Sequence, residues 1–276
     1  MPIDLSHPST RTFGTFPLTG QELTNAIETA IRAGYRAFDT AQMYNNEADV
    51  GNALAQANVD RSELFITTKV HPDNFSKTLF LTSVEQSLQK LQLQYVDLLM
   101  LHWPPTKARD EDIITVIKLL NSAFEAGYCR HIGISNFNCH MMQVAKQNSQ
   151  APLFCNQVEF HPLLNQFTLL QGAQELDIPL SAYCSNARGK VLDEPLLVDL
   201  GNKYQKSAVQ VALRWALQHG VSLNTMSTKA KNIEANFDIM DFDISQKDMS
   251  LIDKLAKQGE YRIVHEGIVP WAPKWD

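Results

Sequence analysis

Four polar residues of four chemical types stand at or just after the ends of separate apolar runs in the sequence. They are a carboxylate, a phenol, an ammonium and an imidazole: Asp39, Tyr44, Lys69 and His102. An ammonium beside a tyrosine stabilises the phenolate and lowers the phenol pKa from its ordinary value of about 10. A carboxylate keeps that ammonium charged, and an imidazole opposite the phenol can hydrogen-bond a substrate oxygen. The set predicts a general acid that protonates the alkoxide formed in carbonyl reduction.

The catalytic interpretation needs a hydride donor and must be weighed against structural roles for the same residues. Side chains cannot supply a hydride, so a reduced nicotinamide is implied. Asp39 could cap a helix, Tyr44 could be a half-buried aromatic, Lys69 could emerge at a rim, and His102 could be a core histidine. For any one residue the structural role is the better explanation. It is much less expected that all four residues have only structural roles and yet lie at the same end of one fold. We therefore favour a catalytic role for the set.

Eight short apolar runs have the length and the β-branched or aromatic content of buried parallel strands. The runs are 12–16, 35–40, 64–69, 95–102, 131–135, 153–160, 178–184 and 221–226.

Longer segments between the runs carry apolar residues at helical spacing, most clearly in 21–33, 78–91 and 207–219. Residues that favour helix ends flank the helical segments. Helix starts are expected at Thr19 or Gly20 and at Ser207, and helix ends at Gly34, Gly127 and Gly220.

This alternation of strands and helices predicts one (β/α)8 barrel domain, a TIM barrel, over residues 1–276. A doubly wound sheet is the alternative, but it would place a GxGxxG turn after an early strand, and the sequence contains none. In a barrel the carboxyl ends of the strands carry the chemistry. The four polar residues lie at those ends, so the motif and the fold agree.

The composition excludes several classes of function. Hydrophobic residues make up 44% of the chain and charged residues 20%, which suits a sizeable core and argues against disorder. The net charge is -6 without a basic run, so no nucleic-acid partner is expected. Because no apolar run approaches the roughly 20 residues that span a bilayer, no membrane partner is expected either.

The cysteines and the opening residues predict a reduced, cytoplasmic protein. Residues 1–16 lack the basic and apolar regions of a signal peptide. No CxxC or CxxH pair is present, so each thiol is expected to be a small structural group. The four are Cys129, Cys139, Cys155 and Cys184.

Several motifs make the sequence resemble the aldo-keto reductase superfamily, from residue 14 to residue 245. They are GYRAFDTAQMYNNEADVG (34–51), LFITTK (64–69), YVDLLMLHWP (95–104), IGISNF (132–137) and NQVEFHP (156–162). The segments STKAKNIEAN (227–236) and APKWD (272–276) are most similar to bacterial 2,5-diketo-D-gluconate reductases, whose members also reduce methylglyoxal. The resemblance implies reduction of small aldehydes and ketones by a monomeric enzyme.

The resemblance also implies a role for each site residue. Tyr44 would be the acid, Asp39 and Lys69 would tune it, and His102 would orient the carbonyl. The nicotinamide carboxamide would bind Ser135, Asn136 and Gln157, and Tyr183 would stack on the ring. These side chains supply the donors and acceptors that an amide needs.

The segments that would hold the cofactor phosphates depart from the family pattern. Met226 and Asn232 stand where a lysine and an arginine are usual. The ammonium groups of Lys229 and Lys231, close to the start of a helix, could still hold a 2′-phosphate. We therefore expect NADPH, with NADH as the alternative. The remaining cofactor contacts are predicted at Arg188, Ser227, Lys229, Lys231 and Asn236.

The substrate pocket is predicted from aromatic and neighbouring residues near the strand ends. The predicted lining is Phe16, Met43, His71, Phe75, Trp103 and Trp271. The segment VPWAPKWD (269–276) is expected to fold over the barrel mouth and to shape specificity.

Three other functions stay open at this point. A Schiff-base aldolase would use Lys69, but it needs a lowered lysine pKa, and Asp39 would raise it. A nicotinamide-binding module without catalysis occurs among relatives, although the catalytic set is complete here. A metal hydrolase could use Glu159 and His161, but no further ligands have suitable spacing, so no metal is expected.

Overall fold

Eight parallel strands close a barrel in chain order in the computed structural model, which describes residues 4–276. The opening residues 1–3, which belong to the segment used for the leader prediction, lie outside the described residues. The strands are β1 (Arg11–Gly14), β2 (Ala37–Asp39), β3 (Phe65–Val70), β4 (Val96–Leu101), β5 (Cys129–Ser135), β6 (Leu153–Glu159), β7 (Leu180–Tyr183) and β8 (Ser222–Thr225). Pairing of β1 with β8 closes the barrel. The predicted (β/α)8 barrel is confirmed, and the doubly wound alternative is wrong.

Ten α-helices accompany the strands within residues 4–276. They are α1 (Gly20–Ala33), α2 (Glu47–Gln56), α3 (Phe80–Leu91), α4 (Asp110–Glu125), α5 (Cys139–Asn148), α6 (Phe167–Glu175), α7 (Pro195–Tyr204), α8 (Ala208–Gln218), α9 (Ala230–Phe237) and α10 (Gln246–Gln258). Their apolar faces pack against the barrel and against one another in a continuous core.

The helix ends follow from local chemistry. Ser207 Oγ accepts the backbone N–H of Gln210 at 3.2 Å, so this serine caps α8 as predicted. Gly34 ends α1 with φ 110°, a left-handed conformation that glycine adopts without a steric penalty. The first strand stops before the predicted residue 16 because the chain turns there, and the Leu18 N–H donates back to Thr15 O at 2.8 Å.

Strand register brings the predicted site residues to one rim of the barrel. Gly14 pairs with Asp39 across β1 and β2. Ser135 pairs with Gln157 across β5 and β6. Because all strands are parallel, their carboxyl ends form a single edge, and side chains distant in sequence meet there.

Within residues 4–276 no helix combines the length and apolar character needed to cross a membrane. The same residues contain no group of three or more His, Cys, Asp or Glu placed to hold a metal ion. All four cysteines carry free thiols.

Candidate active site

A buried ion pair lies at the base of the site. Lys69, near the end of β3, and Asp39, the last residue of β2, form a hydrogen-bonded salt bridge. Lys69 Nζ also donates to Thr40 O at 3.0 Å and reaches the Tyr44 hydroxyl at 3.4 Å. Both charged side chains are almost completely removed from solvent. The pair therefore fixes a positive charge directly behind the phenol.

The phenol and the imidazole face each other across the rim. Tyr44 closes a short 3-10 turn, Gln42–Tyr44, that follows β2. Its ring centroid lies 5.4 Å from that of His102, with the rings nearly perpendicular at 81°. His102 directly follows β4. The structure thus brings all four predicted catalytic residues together.

Burial sets the protonation of Tyr44, and it reverses the pKa shift expected from the sequence. Burial raises the pKa of Tyr44 well above 10, and the nearby Asp39 carboxylate adds to the shift. The expectation that Lys69 lowers this pKa is therefore wrong, because desolvation of a phenolate outweighs one neighbouring cation. Tyr44 is a neutral phenol that can donate its proton to an alkoxide, which is a stronger base.

The pKa values of Lys69 and His102 are both lowered by burial. For Lys69 the Asp39 carboxylate opposes this shift and holds the ammonium in place. For His102 the neighbouring positive charge of Lys69 adds to it, so the pKa lies well below 6.5 and the ring is neutral. His102 Nδ1 is buried and has no hydrogen-bond partner among the described residues. A neutral imidazole retains one N–H that can donate to a carbonyl oxygen.

These pKa directions predict a flat pH profile for carbonyl reduction. His102 is neutral above its lowered pKa, and Tyr44 is protonated below its raised pKa. Both groups therefore keep their donor forms between pH 6.5 and about pH 8, and in this interval Lys69, whose pKa is lowered from an ordinary value of about 10.4, stays charged beside Asp39. We expect kcat/KM to change less than about twofold across this interval. Initial rates in a series of overlapping buffers would check it, and an inflection inside the interval would contradict the assigned protonation states.

A hydrogen-bond network beside the phenol joins the residues predicted to bind a carboxamide. Gln157 Nε2 donates to Asp39 Oδ2 at 3.0 Å, and Ser135 Oγ donates to Gln157 O at 2.7 Å. Asn136 Nδ2 donates to Ser135 Oγ at 3.0 Å, and Asn136 Oδ1 accepts from the Tyr183 hydroxyl at 2.7 Å. These contacts fix the orientation of polar groups at the rim before any ligand binds.

A cavity of about 660 Å³ lies at the carboxyl ends of the strands. Twelve of the predicted site residues line it: Phe16, Asp39, Met43, Tyr44, His102, Trp103, Ser135, Asn136, Gln157, Tyr183, Arg188 and Asn236. Arg188 comes from the segment after β7 and Asn236 from α9, and neither element carries a predicted catalytic residue. The cavity therefore has room for an extended ligand as well as a small substrate.

Seven predicted site residues are not among the described residues that line this cavity: Lys69, His71, Phe75, Ser227, Lys229, Lys231 and Trp271. Lys69 lies behind Tyr44 in the ion pair. Phe75 turns toward Phe80 of α3, with ring centroids 6.3 Å apart. His71 and Trp271 pack edge to face at 5.0 Å. The structure therefore groups these two rings with each other.

The remaining three residues belong to the segment before and within α9. Ser227 Oγ accepts the backbone N–H of Lys229 at 3.2 Å, and Lys229 directly precedes the helix. Lys231 is exposed in its first turn. Lys229 is exposed as well, and neither lysine lines the cavity.

Sequence reasoning missed several residues of the cavity wall. Asn224 and Thr225 end β8, and polar residues at a predicted strand end were an available signal. Val209 and Leu213 reach the cavity from α8, whose apolar pattern predicts burial but not contact with a site. The segment after α10 gives no periodic signal for its three lining residues: Val264, Ile268 and Val269.

The fold and the residues at the rim together point to a barrel enzyme of the oxidoreductase class. The chain belongs to the aldo/keto reductase family, whose sequence profile matches residues 10–257. It is 40% identical over 238 residues to the glyoxal reductase of Bacillus subtilis, covering 86% of this chain and 85% of that protein. It is 37% identical over 267 residues to the methylglyoxal reductase DkgB of Yersinia pestis, covering 95% and 97%. The family resemblance inferred from the motifs is confirmed.

Solved structures agree with this assignment. A crystal structure provisionally described as a 2,5-diketo-D-gluconic acid reductase B is 41% identical, with a TM-score of 0.91 over 97% of this chain and 93% of that chain. A Bombyx mori aldo-keto reductase in complex with NADP is 30% identical, with a TM-score of 0.85 over 96% and 95%.

Proposed function

We propose that this protein reduces small aldehydes and ketones to alcohols with NADPH, and that methylglyoxal and 2,5-diketo-D-gluconate represent its substrate class. One observation carries the proposal. A neutral phenol and a neutral imidazole face one another in the wall of a cavity, with a buried ammonium behind the phenol. This arrangement suits proton donation to an oxygen that gains negative charge. Homologues named for glyoxal and methylglyoxal reduction support the substrate class.

Each catalytic residue has a distinct part in the proposed reaction. A bound reduced nicotinamide supplies the hydride. His102 donates a hydrogen bond that orients the substrate oxygen, and Tyr44 transfers its hydroxyl proton to that oxygen. Lys69 stabilises the phenolate that remains, and Asp39 holds Lys69 at 3.4 Å from the phenol oxygen. Because the ammonium is already in position, little reorganisation is required when the charge develops.

The residues around the cavity fit a dinucleotide. Asn224 Oδ1 is buried, lacks a hydrogen-bond partner among the described residues and belongs to a residue of the cavity wall. Ser135, Asn136 and Gln157 provide further amide partners near the phenol. Arg188 adds positive charge along the same wall. These donors and acceptors would hold the nicotinamide, its carboxamide and the pyrophosphate.

The part of the cavity that would hold the adenosine carries little positive charge with which to bind a 2′-phosphate. Met226 lines the cavity and is 37% exposed, so an apolar side chain stands where relatives place a lysine. Lys229 and Lys231 remain as the charged groups near the start of α9. We therefore propose NADPH as the preferred cofactor, with a smaller preference over NADH than a lysine at position 226 would give.

A two-by-two comparison of cofactors and substrates tests this function. We expect oxidation of NADPH with both methylglyoxal and 2,5-diketo-D-gluconate, and slower but measurable oxidation of NADH. Met226→Lys should tighten NADPH binding roughly tenfold, because it adds a charge beside the phosphate, and leave NADH binding unchanged. Fluorescence titration measures both affinities. Absence of turnover with all four combinations would contradict the proposal, and equal tightening of both cofactors would contradict the phosphate assignment.

The rival functions gain no support from the geometry. A Schiff-base aldolase needs an accessible lysine, but Lys69 is fully buried and bonded to Asp39 and Thr40. A non-catalytic nicotinamide-binding module would not require the ordered contact between Tyr44 and that ammonium.

A further inference from the structure

The segment that follows α10, residues 260–276, crosses the mouth of the cavity; we call it the strap. Three of its residues line the cavity: Val264, Ile268 and Val269. Ile268 is also 62% exposed, so the strap separates the cavity from solvent. Further along, the Trp271 ring packs against His71, which directly follows β3. The strap therefore forms an outer wall whose position determines the size of the cavity.

The strap begins at a buried carboxylate. Glu159, the last residue of β6, is fully buried, and its two oxygens accept the backbone N–H groups of Ile263 at 2.8 Å and Val264 at 2.9 Å. His161 Nε2 lies 2.9 Å from the same carboxylate. A buried carboxylate without hydrogen-bond donors would lower the stability of the fold. Glu159 therefore needs these two amides as donors, and the amides need Glu159 as their acceptor. They fix the first part of the strap to the strand that also carries Gln157.

The other end of the strap is fixed to the N-terminus of α5. The Asp276 carboxylate accepts the backbone N–H of Cys139, at 3.0 Å for Oδ2. Asn138, the N-cap residue of α5, donates from Nδ2 to Lys274 O at 3.0 Å. A carboxylate at this position satisfies a free helix N–H and is favoured by the helix dipole.

The two anchors differ in their exposure to water. Glu159 is enclosed in the core, whereas Asp276 is exposed, and its bonds compete with solvent. Between them, the Arg262 guanidinium lies 4.1 Å from the centre of the Trp275 ring and joins the start of the strap to its end. Release is therefore expected at the Asp276 end, while the Glu159 end stays in place.

We propose that Glu159 and Asp276 are positioning residues that hold the strap over the cavity, and that Asp276 is the releasable anchor that sets how well larger carbonyl substrates bind. This inference rests on the proposed reductase function and deepens it. A three-carbon dicarbonyl held at Tyr44 reaches little of the strap. A six-carbon keto acid fills more of the cavity and contacts more of its wall, of which Val264, Ile268 and Val269 are part, so its binding depends more on where the strap lies.

Asp276→Ala tests the inference, with Asp199→Ala as a matched control at an exposed aspartate of α7. For Asp276→Ala we expect KM for 2,5-diketo-D-gluconate to rise roughly tenfold, with KM for methylglyoxal and both kcat values within about twofold. The control should match the wild type. An equal change in KM for both substrates, or no change for the larger one, would overturn the inference.

Hydrogen–deuterium exchange of the cofactor-free protein provides a readout independent of activity. In Asp276→Ala, exchange of the Cys139 amide, which loses its acceptor, should accelerate at least about tenfold, while Ile263 and Val264 keep their protection from Glu159. Glu159→Gln should accelerate exchange at those two amides. If amide exchange in Asp276→Ala were the same as in the wild type, Asp276 would not be an anchor of the strap. If the wild type reduced no carbonyl, the proposed function would fail, but the exchange result would still decide whether Asp276 holds the strap.

Discussion

Tyr44→Phe is expected to lower kcat for carbonyl reduction roughly 100- to 10,000-fold, the usual contribution of a positioned general acid. The substitution removes the hydroxyl that lies 3.4 Å from Lys69 Nζ and keeps the ring. That ring packs against Phe16 and His102, with centroids 5.0 and 5.4 Å away, so the cavity wall is preserved. Cofactor affinity should therefore stay within about twofold. Steady-state NADPH oxidation with methylglyoxal and fluorescence titration of NADPH measure the two effects.

Tyr95→Phe is the matched control for this substitution. Tyr95 precedes β4 at the opposite end of the barrel, and its ring lies between Arg61 and Arg130, at 4.7 and 4.1 Å from their guanidinium carbons. Tyr95→Phe removes only the hydroxyl of this tyrosine and should leave kcat unchanged. If Tyr44→Phe turned over at the wild-type rate, the proton would have to come from another group, and His102 would be the next candidate.

The catalytic residues were predictable because parallel strands end at one edge. Asp39, Lys69 and His102 each end an apolar run, and the barrel register needs no further information to bring them together. The sign of the Tyr44 pKa shift was not predictable in the same way. The sequence shows that an ammonium is a neighbour, but it does not show how far the phenol is removed from bulk water, and here burial raises the pKa of Tyr44.

The part of the cavity wall that the strap forms was harder to predict than the catalytic residues. The expectation that residues 269–276 fold over the barrel mouth agrees with the strap, but the sequence does not show which side chains face inward. The strap has no helical or strand periodicity, and its anchors join residues far apart in the chain. Glu159 and Ile263 are 104 positions apart, and Asp276 and Cys139 are 137 apart. Contacts of this kind depend on where two irregular segments meet, which local patterns do not encode.

Lys69→Met is expected to impair both stability and turnover. Lys69 is fully buried, so its loss leaves the Asp39 carboxylate without its cation in a nearly dry site. Breaking a buried pair in this way costs about 3–5 kcal/mol of unfolding free energy. Turnover should also fall at least about 100-fold, because the phenolate formed from Tyr44 loses its nearest positive charge. Urea denaturation followed by circular dichroism measures the first effect, and steady-state kinetics measures the second.

The double variant Asp39→Asn/Lys69→Met separates the electrostatic cause from simple loss of packing. Removing both charges should recover at least about 2 kcal/mol of the stability lost in Lys69→Met, because no unpaired carboxylate is left. Turnover should stay low, since the phenolate still lacks its cation. Lys190→Met is the control: Lys190 and its partner Asp193, whose charged atoms are 3.5 Å apart, are both exposed, so removal of this lysine should cost little. If the double variant were no more stable than Lys69→Met, the destabilisation would come from packing, and Asp39 would have no part in holding a charged lysine behind the phenol.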